Sequence, residues 1–400
     1  MSDRKKILFV DDDQSLLDGL HRALHSERKQ WEMYFVPSGE EAVALMAQHR
    51  FDALITDIRM PGMDGVQLLS EVKRQHPDLI RFILSGHSSD ELTLQSVKSA
   101  HQFFSKPCDI ESLKAALVRA FSLRELLSNT KLQTFVSGTI VLPSLPHIYT
   151  EIVEHLDSPD VSVRAVGGII AKDPGITAKI LQLVNSAFFG LGRKVSNPEE
   201  AASLLGMDTI KCLVLSVGLF SQFNTSRLNQ MGFSLEEAVD HSIRVGLLAQ
   251  QIAKSENASK QMLDESHLSG FLHDIGRLIL AENMPQDYAR VMELARQDGY
   301  DLFLAEREIL GTDHAAVGAY LLGLWGFADT VIETVAFHHR PELSGSKAFG
   351  PLTAVYVANA LENTKSEQFT KLVSIEYLQS LGLDGRLEAW ETLYAAAGYE

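Results

Sequence analysis

Five residues in the N-terminal third of the chain could do phosphoryl chemistry together: Asp11, Asp12, Asp57, Ser85 and Lys106. Each stands at or just past the end of an apolar, strand-like run, in KKILFVD, DALITDI, LIRFILS and HQFFS. Three carboxylates gathered at one place repel one another unless a hard cation joins them, and an all-oxygen donor set suits Mg²⁺. The Ser85 hydroxyl and the Lys106 ammonium, on the other side of Asp57, would neutralise the oxygens of an incoming phosphoryl group. Asp57 is then the nucleophile that accepts it. A lone aspartate at a strand end is more often a helix cap, but caps do not account for this ordered set.

A second set lies in the C-terminal half: His241, His273 followed by Asp274, His314, and the adjacent His338 and His339. Neutral imidazoles and a carboxylate presented from several helices can hold one or two metal ions that activate water and clamp a phosphate. A single helical histidine is ordinarily a satisfied core or surface residue. The run GFLHDIGRLIL departs from that rule, because an unpaired acid buried in it would be costly and Asp274 therefore requires a partner.

The elements that must position these groups differ between the two halves. Residues 5 to 122 alternate strand-like runs with amphipathic runs such as SLLDGLHRALHSE, GEEAVALMAQHR, GVQLLSEVKRQ and DELTLQSVKSA. Five such repeats predict an α/β doubly wound, five-stranded parallel sheet covered on both faces, which places ligands beyond the carboxyl ends of the strands. Past Asp109 the periodicity is helical, and Leu113, Leu117, Ala120, Leu123 and Leu127 trace a stripe suited to a core or to a dimer seam. From Leu142 onward the pattern is helical throughout, broken by LPSLP, DSPD, KDPG, GLGRKVSNP and LGM, which predicts an all-α domain. Leucine, tyrosine and tryptophan at helical spacing to the end predict that the C-terminal tail docks.

Composition narrows the function classes. With 36 Lys and Arg against 52 Asp and Glu in 400 residues, the net charge of −16 opposes nucleic-acid binding. The chain offers no basic helix-turn-helix. No window reaches the ~18 uncharged apolar residues of a membrane helix, and MSDRKKILFVDDD is not a signal peptide. A cytoplasmic address is the expectation, and two cysteines outside any ligand spacing, Cys108 and Cys212, fit a reducing compartment.

The motifs VDDD, TDIRMPGMDG, LSGH and SKP resemble those of a response-regulator receiver domain over residues 5 to 122. The resemblance implies phosphorylation of Asp57 by a histidine kinase and Mg²⁺ held by Asp11, Asp12, Asp57 and the Arg59 backbone carbonyl. It also implies phosphoryl contacts from Ser85 and Lys106. Phe103 falls at the family's aromatic switch position and, lacking a hydroxyl, would switch by packing alone.

The segments LPSLPHIYTEIVEHLDSPDVSV, IIAKDPGITAKILQLVNSAFFG and AASLLGMDTIKCLVLSVGLF resemble an HDOD domain, related to the HD metal-dependent phosphohydrolases, and generally a helical interaction module. Against HD-GYP cyclic di-GMP phosphodiesterases, His241, His273, Asp274, His314, His338 and His339 occupy ligand-like positions, with iron or manganese the implied metal. Asn359 stands where an Asp ligand is expected, Arg277 replaces a Lys, and HHRPELSGS lacks the substrate loop's Glu and GYP. A neutral Asn359 weakens a dication site. The expected layout is a receiver at 1–122, a helical linker at 123–136, an HDOD domain at 137–345 and a packed helical extension at 346–400. The expected function is a response regulator whose output domain binds an unidentified protein, with a homodimer through the receiver and linker helix admitted by the apolar stripe. The alternative is a phospho-regulated HD-type phosphodiesterase acting on a cyclic dinucleotide or another nucleotide.

Overall fold

Runs of Ile, Leu, Val and Phe that would bury on both faces form five strands: β1 (Lys5–Val10), β2 (Trp31–Val36), β3 (Ala53–Asp57), β4 (Ile80–Ser85) and β5 (Gln102–Ser105). All pair in parallel, in the order β2-β1-β3-β4-β5. This is the expected doubly wound sheet, the flavodoxin-like arrangement. Helices α1 (Gln14–Ala23), α2 (Gly39–Met46) and α3 (Gly65–Gln75) connect the strands. Their starts are set by side chains that satisfy free N–H groups: Asp13, Ser38, and Asp64 in a reciprocal capping box with Gln67. A computed structural model describes residues 4–86, 99–125, 127, 136–137, 143–144, 151–152, 155, 162–185, 193–206, 210, 221–222, 225–297, 300–363 and 373–396. Most of the expected DELTLQSVKSA helix, most of the 123–136 linker and Cys212 lie outside the described residues.

Helix α4 (Ile110–Glu125) follows the sheet, and its stripe of Leu113, Leu117 and Ala120 is buried. The chain then becomes helical: α5 (Val163–Ile170), α6 (Pro174–Val184), α7 (Pro198–Leu205), α8 (Thr225–Gln230), α9 (Leu235–Ser255), α10 (Lys260–Leu272) and α11 (Ile275–Asn283). There follow α12 (Pro285–Ala295), α13 (Leu302–Leu310), α14 (His314–Leu324), α15 (Asp329–Phe337), α16 (Pro351–Glu362), α17 (Ile375–Ser380) and α18 (Leu387–Ala396). Among the described residues one feature departs from an all-helical reading: Pro143–Ser144 pairs in parallel with Ser221–Gln222.

Helix α14 is apolar on every side and buried along its whole length, as a central core helix must be. It packs on α4, where a Cβ on Gly323 would come within 2.0 Å of Leu123. The apolar stripe of α4 is thus covered inside the chain. One hydrophobic cluster runs without a break from the sheet residues Ile7, Ile55 and Phe103 through Leu117 to Tyr320 and Val335. A second joins α9 and α16 to the tail, where Trp390 is fully buried and donates its indole N–H to Glu256 Oε1 at 3.0 Å. Replacing Trp390 by Ala should cost about 3–5 kcal/mol in the chemical unfolding of the helical part. A loss below about 1 kcal/mol would mean that the tail is not held by this contact.

Candidate functional site

The first candidate site sits at the carboxyl ends of β1, β3, β4 and β5. Asp11, Asp12 and Asp57 each bring a carboxylate oxygen within 4.8 Å of the others. Asp11 and Asp57 are buried whereas Asp12 is exposed. The Lys106 ammonium lies 2.6 Å from Asp11 and 2.7 Å from Asp57, bridging the two buried acids. Burial disfavours that ammonium, yet the two carboxylates outweigh it and raise Lys106 above the ordinary lysine value. Burial likewise pushes the Asp11 carboxyl up, against the pull of Lys106. Asp57 Oδ1 accepts the Ile58 N–H at 2.7 Å, which fixes the carboxylate at the strand end and leaves Oδ2 to the lysine.

Gly65 explains how the loop after β3 can close over this point. A Cβ there would lie 2.0 Å from the Asp57 carbonyl oxygen, so only glycine fits. Ser85 ends β4, opposite Ser105 on the ladder, and its carbonyl accepts the Lys106 N–H at 2.8 Å. Arg59 follows β3 by two residues with an exposed side chain. Phe103 lies opposite Ile83 and is buried in the core. The three carboxylates are hard oxygen donors that fit Mg²⁺, and the lysine supplies the cation that phosphoryl oxygens require.

The second candidate site is built where α9, α10, α11, α14, α15 and α16 converge. Helix α10 ends at Leu272, and the next two residues, His273 and Asp274, turn into α11 with both side chains buried. Backbone carbonyls orient the rings: His273 Nδ1 donates to Gly270 at 2.6 Å and His338 Nδ1 to Val335 at 2.9 Å. Both rings therefore turn Nε2 into the cluster, the tautomer a metal ligand needs. His314 Nε2 is 2.9 Å from His339 Nε2, 3.3 Å from His338 Nε2 and 3.1 Å from Asp274 Oδ1.

Glu306 orients His314 and was not visible as a site residue in the sequence. It is fully buried and accepts from His314 Nδ1 at 2.6 Å, the His314 backbone N–H at 2.8 Å and the Tyr288 hydroxyl at 3.0 Å. Its signal was an acid on the apolar stripe of LFLAEREIL, between Leu302 or Phe303 and Leu310. Burial opposes charge on His314, but Glu306 and Asp274 flank it and raise its pKa to about 10. His273, enclosed and without such a second acid, is lowered by burial to about 4.

The departures from an HD-type site have structural consequences. Arg277 Nη1 lies 2.6 Å from Asp274 Oδ2, so a guanidinium already neutralises one oxygen of the carboxylate. Asn359 Oδ1 accepts from His241 Nε2 at 3.0 Å and from Asn363 at 2.8 Å. His241, His273 and Asp274 still bring ligand atoms within 4.8 Å of one another. The cluster opens on a cavity of about 420 Å³ that Tyr356 and Asn363 also line. Glu306→Ala leaves three buried donors without an acceptor and should destabilise the helical part by about 3–5 kcal/mol, read from urea unfolding. Glu306→Gln should recover part of this, and a neutral Ala variant would contradict the orienting role.

A family model described as the response regulator receiver domain matches residues 7–118. One described as the HDOD domain matches residues 142–341, half of the chain. An uncharacterized protein of Treponema pallidum (strain Nichols) is 25% identical over 212 residues, 53% of this chain and 40% of that one. The DNA-binding transcriptional regulator NtrC of Salmonella typhimurium is 37% identical over 117 residues, 29% of this chain and 24% of its own length. The chain thus spans less than half of either curated relative. The crystal structure of the MmoQ response regulator from Methylococcus capsulatus str. Bath is 24% identical, with a TM-score of 0.47, over 63% of this chain and 98% of that one. By its two family matches, in this order, the chain belongs to the response regulators that carry a receiver domain followed by an HDOD domain.

Proposed function

We propose that phosphorylation of Asp57 by a histidine kinase, with Mg²⁺ held by Asp11, Asp12, Asp57 and the Arg59 carbonyl, changes how the receiver engages the HDOD domain, whose output is protein interaction. One observation carries this reading: β4 and β5 have the acidic pocket at one end and the helical domain at the other. Ser85 and Lys106 stand at the pocket, while Gln102 Nε2 donates to the Gly323 carbonyl of α14 at 3.2 Å. The Gln182 side chain of α6 donates to the His101 carbonyl at 2.8 Å. Four strand residues, about 13 Å of rigid backbone, separate the two. Bonds from a phosphoryl group to Ser85 and Lys106 would pull on the same strands that the helical domain grips, shifting a two-state contact. Phe103, between the ends of β5 and already buried, follows by repacking.

The domain limits that go with this reading are 1–122 for the receiver, 137–345 for the HDOD domain and 346–400 for the extension. Helix α16 of that extension brings Asn359 to the histidine cluster. A homodimer through the receiver helix would use the outer side of α4, where Val118 is exposed, since the stripe facing inward is taken.

A second reading, an HD-type phosphodiesterase of a cyclic dinucleotide or another nucleotide, has one specific observation in its favour. The Nε2 atoms of His314, His338 and His339 and an oxygen of Asp274 converge, and Glu306 buttresses the first as a carboxylate behind a metal-bound histidine does. The donor set fits iron or manganese, which would supply Lewis acidity toward water and phosphate. Arg277 on Asp274 and the neutral Asn359 weigh against a complete two-metal site, and the first reading is preferred.

Acetyl phosphate with Mg²⁺ should add one phosphoryl group to the intact mass and change the sedimentation of the wild-type chain. Both effects should vanish in Asp57→Asn; an unchanged mutant response would contradict the first reading. Elemental analysis should find less than stoichiometric transition metal and no hydrolysis of cyclic di-GMP. Stoichiometric iron or manganese with turnover that disappears in His314→Ala would favour the second.

A further inference from the structure

The receiver and the helical domain meet over a buried group of basic side chains that no carboxylate among the described residues contacts. Arg81 in β4, His101 just before β5 and Lys179 in α6 are each fully buried. Among the described residues none of the three forms a hydrogen bond or an ion pair with an acid. The Arg81 guanidinium is satisfied by carbonyls alone: Ser99 at 2.8 Å, Leu79 at 2.7 Å, Pro77 at 3.1 Å and, across the contact, Ser137 at 2.8 Å. Ser137 in turn bonds through its hydroxyl to Tyr320 of α14 at 2.7 Å. Lys179 Nζ has no hydrogen-bond partner and faces the ring of Trp325 at 4.6 Å.

His101 is held as the neutral ring by its bonds. The Arg81 backbone N–H donates to His101 Nδ1 at 3.0 Å, so Nδ1 is an acceptor. Nε2 therefore carries the ring proton and donates to the Ser137 carbonyl at 2.7 Å. A second proton would have to sit on Nδ1, against the Arg81 N–H, on a ring whose Nε2 is 3.0 Å from the Arg81 guanidinium. Among the described residues the charged groups acting on His101 are all cationic, Arg81 of β4, Lys179 of α6 and Lys73 of α3, while the neutral Ser137, with Tyr320 of α14 behind it, takes the ring proton's bond. Among the described residues the acid that acts on Arg81 and Tyr320 is Asp78, which is exposed.

We propose that the receiver–HDOD contact is a proton-released latch: taking up protons on His101 and Lys179 opens it, without phosphorylation of Asp57. Burial first, then Arg81, holds His101 well below the ordinary histidine range, and burial holds Lys179 well below the ordinary lysine range. When the contact opens, both return toward ordinary values, near 6.5 and 10.4. Each group is depressed in the closed form, so the closed form is favoured at high pH and weakens as pH falls through the open-form value. The closed-to-open ratio should fall about tenfold per pH unit through Lys179 below its open value, and by a further factor of about ten per unit through His101 below pH ~6.5.

The test uses the full chain in an Asp57→Asn background, so that phosphorylation cannot contribute. X-ray scattering and hydrogen exchange at residues 99–105 and 174–184 are followed from pH 9 to pH 5.5. Expansion and loss of protection at both segments on acidification are expected. His101→Gln should remove the added steepness below pH 6.5, and Lys179→Met should flatten the response above it. If His101→Gln does not fold, Lys179→Met alone carries the test. Titration curves that coincide for wild type and both variants would overturn the proposal. So would opening that coincides with loss of far-ultraviolet circular dichroism, because the receiver would then be unfolding.

Discussion

The pairing of β4 with β5 is the constraint on which the rest depends. Phe82 to Ser85 lie opposite Gln102 to Ser105 in unbroken parallel register. A parallel ladder with a buried core face cannot slip by a residue without turning every side chain to the wrong side. Ser85 and Lys106 are consequently fixed at one end, and Arg81, His101 and Gln102 at the other. Under the proposed reading, a displacement at the pocket would be carried along these strands to the contact at their far end. That contact is polar, crossed by the Gln102–Gly323, Gln182–His101 and Arg119–Asp329 contacts. Yet it lies within an apolar cluster that continues from one domain to the other.

The histidine cluster obeys a different constraint, charge balance in a dry site. Asp274 is buried and would be intolerable alone. Arg277 takes one oxygen and His314 the other, while Glu306 compensates His314 from behind. The result is an alternating chain of acid and base that is stable as it stands. Asn359 beside His241 is neutral and contributes no charge toward a dication, whereas His314, His338 and His339 present convergent imidazole nitrogens.

Most of the receiver was legible in the sequence because its logic is local: four of the five strands end at or just before a residue of the candidate site, so Asp11, Asp57, Ser85 and Lys106 could be placed by counting strands. The histidine set was legible as residue types, with the buried acid of GFLHDIGRLIL as its anomaly, and the resemblance added the order of candidate ligands. What escaped notice was set by contacts between distant segments. Arg81 reaches Ser137, 56 residues on, and Ser137 reaches Tyr320, 183 residues further. A cation inside LIRFILS and an acid inside LFLAEREIL were visible anomalies, but periodicity says only that a face is covered, not by what. The α4 stripe makes the same point: it read equally as core or dimer seam, and α14 of the same chain covers it.

The most direct measurement is hydrogen–deuterium exchange of the full chain with and without beryllofluoride and Mg²⁺ at constant pH. The account predicts altered exchange both around Asp57 and, at the opposite end of the strands, in residues 99–105 and 314–326. Exchange that changes at the acidic pocket and nowhere in the helical domain would contradict it.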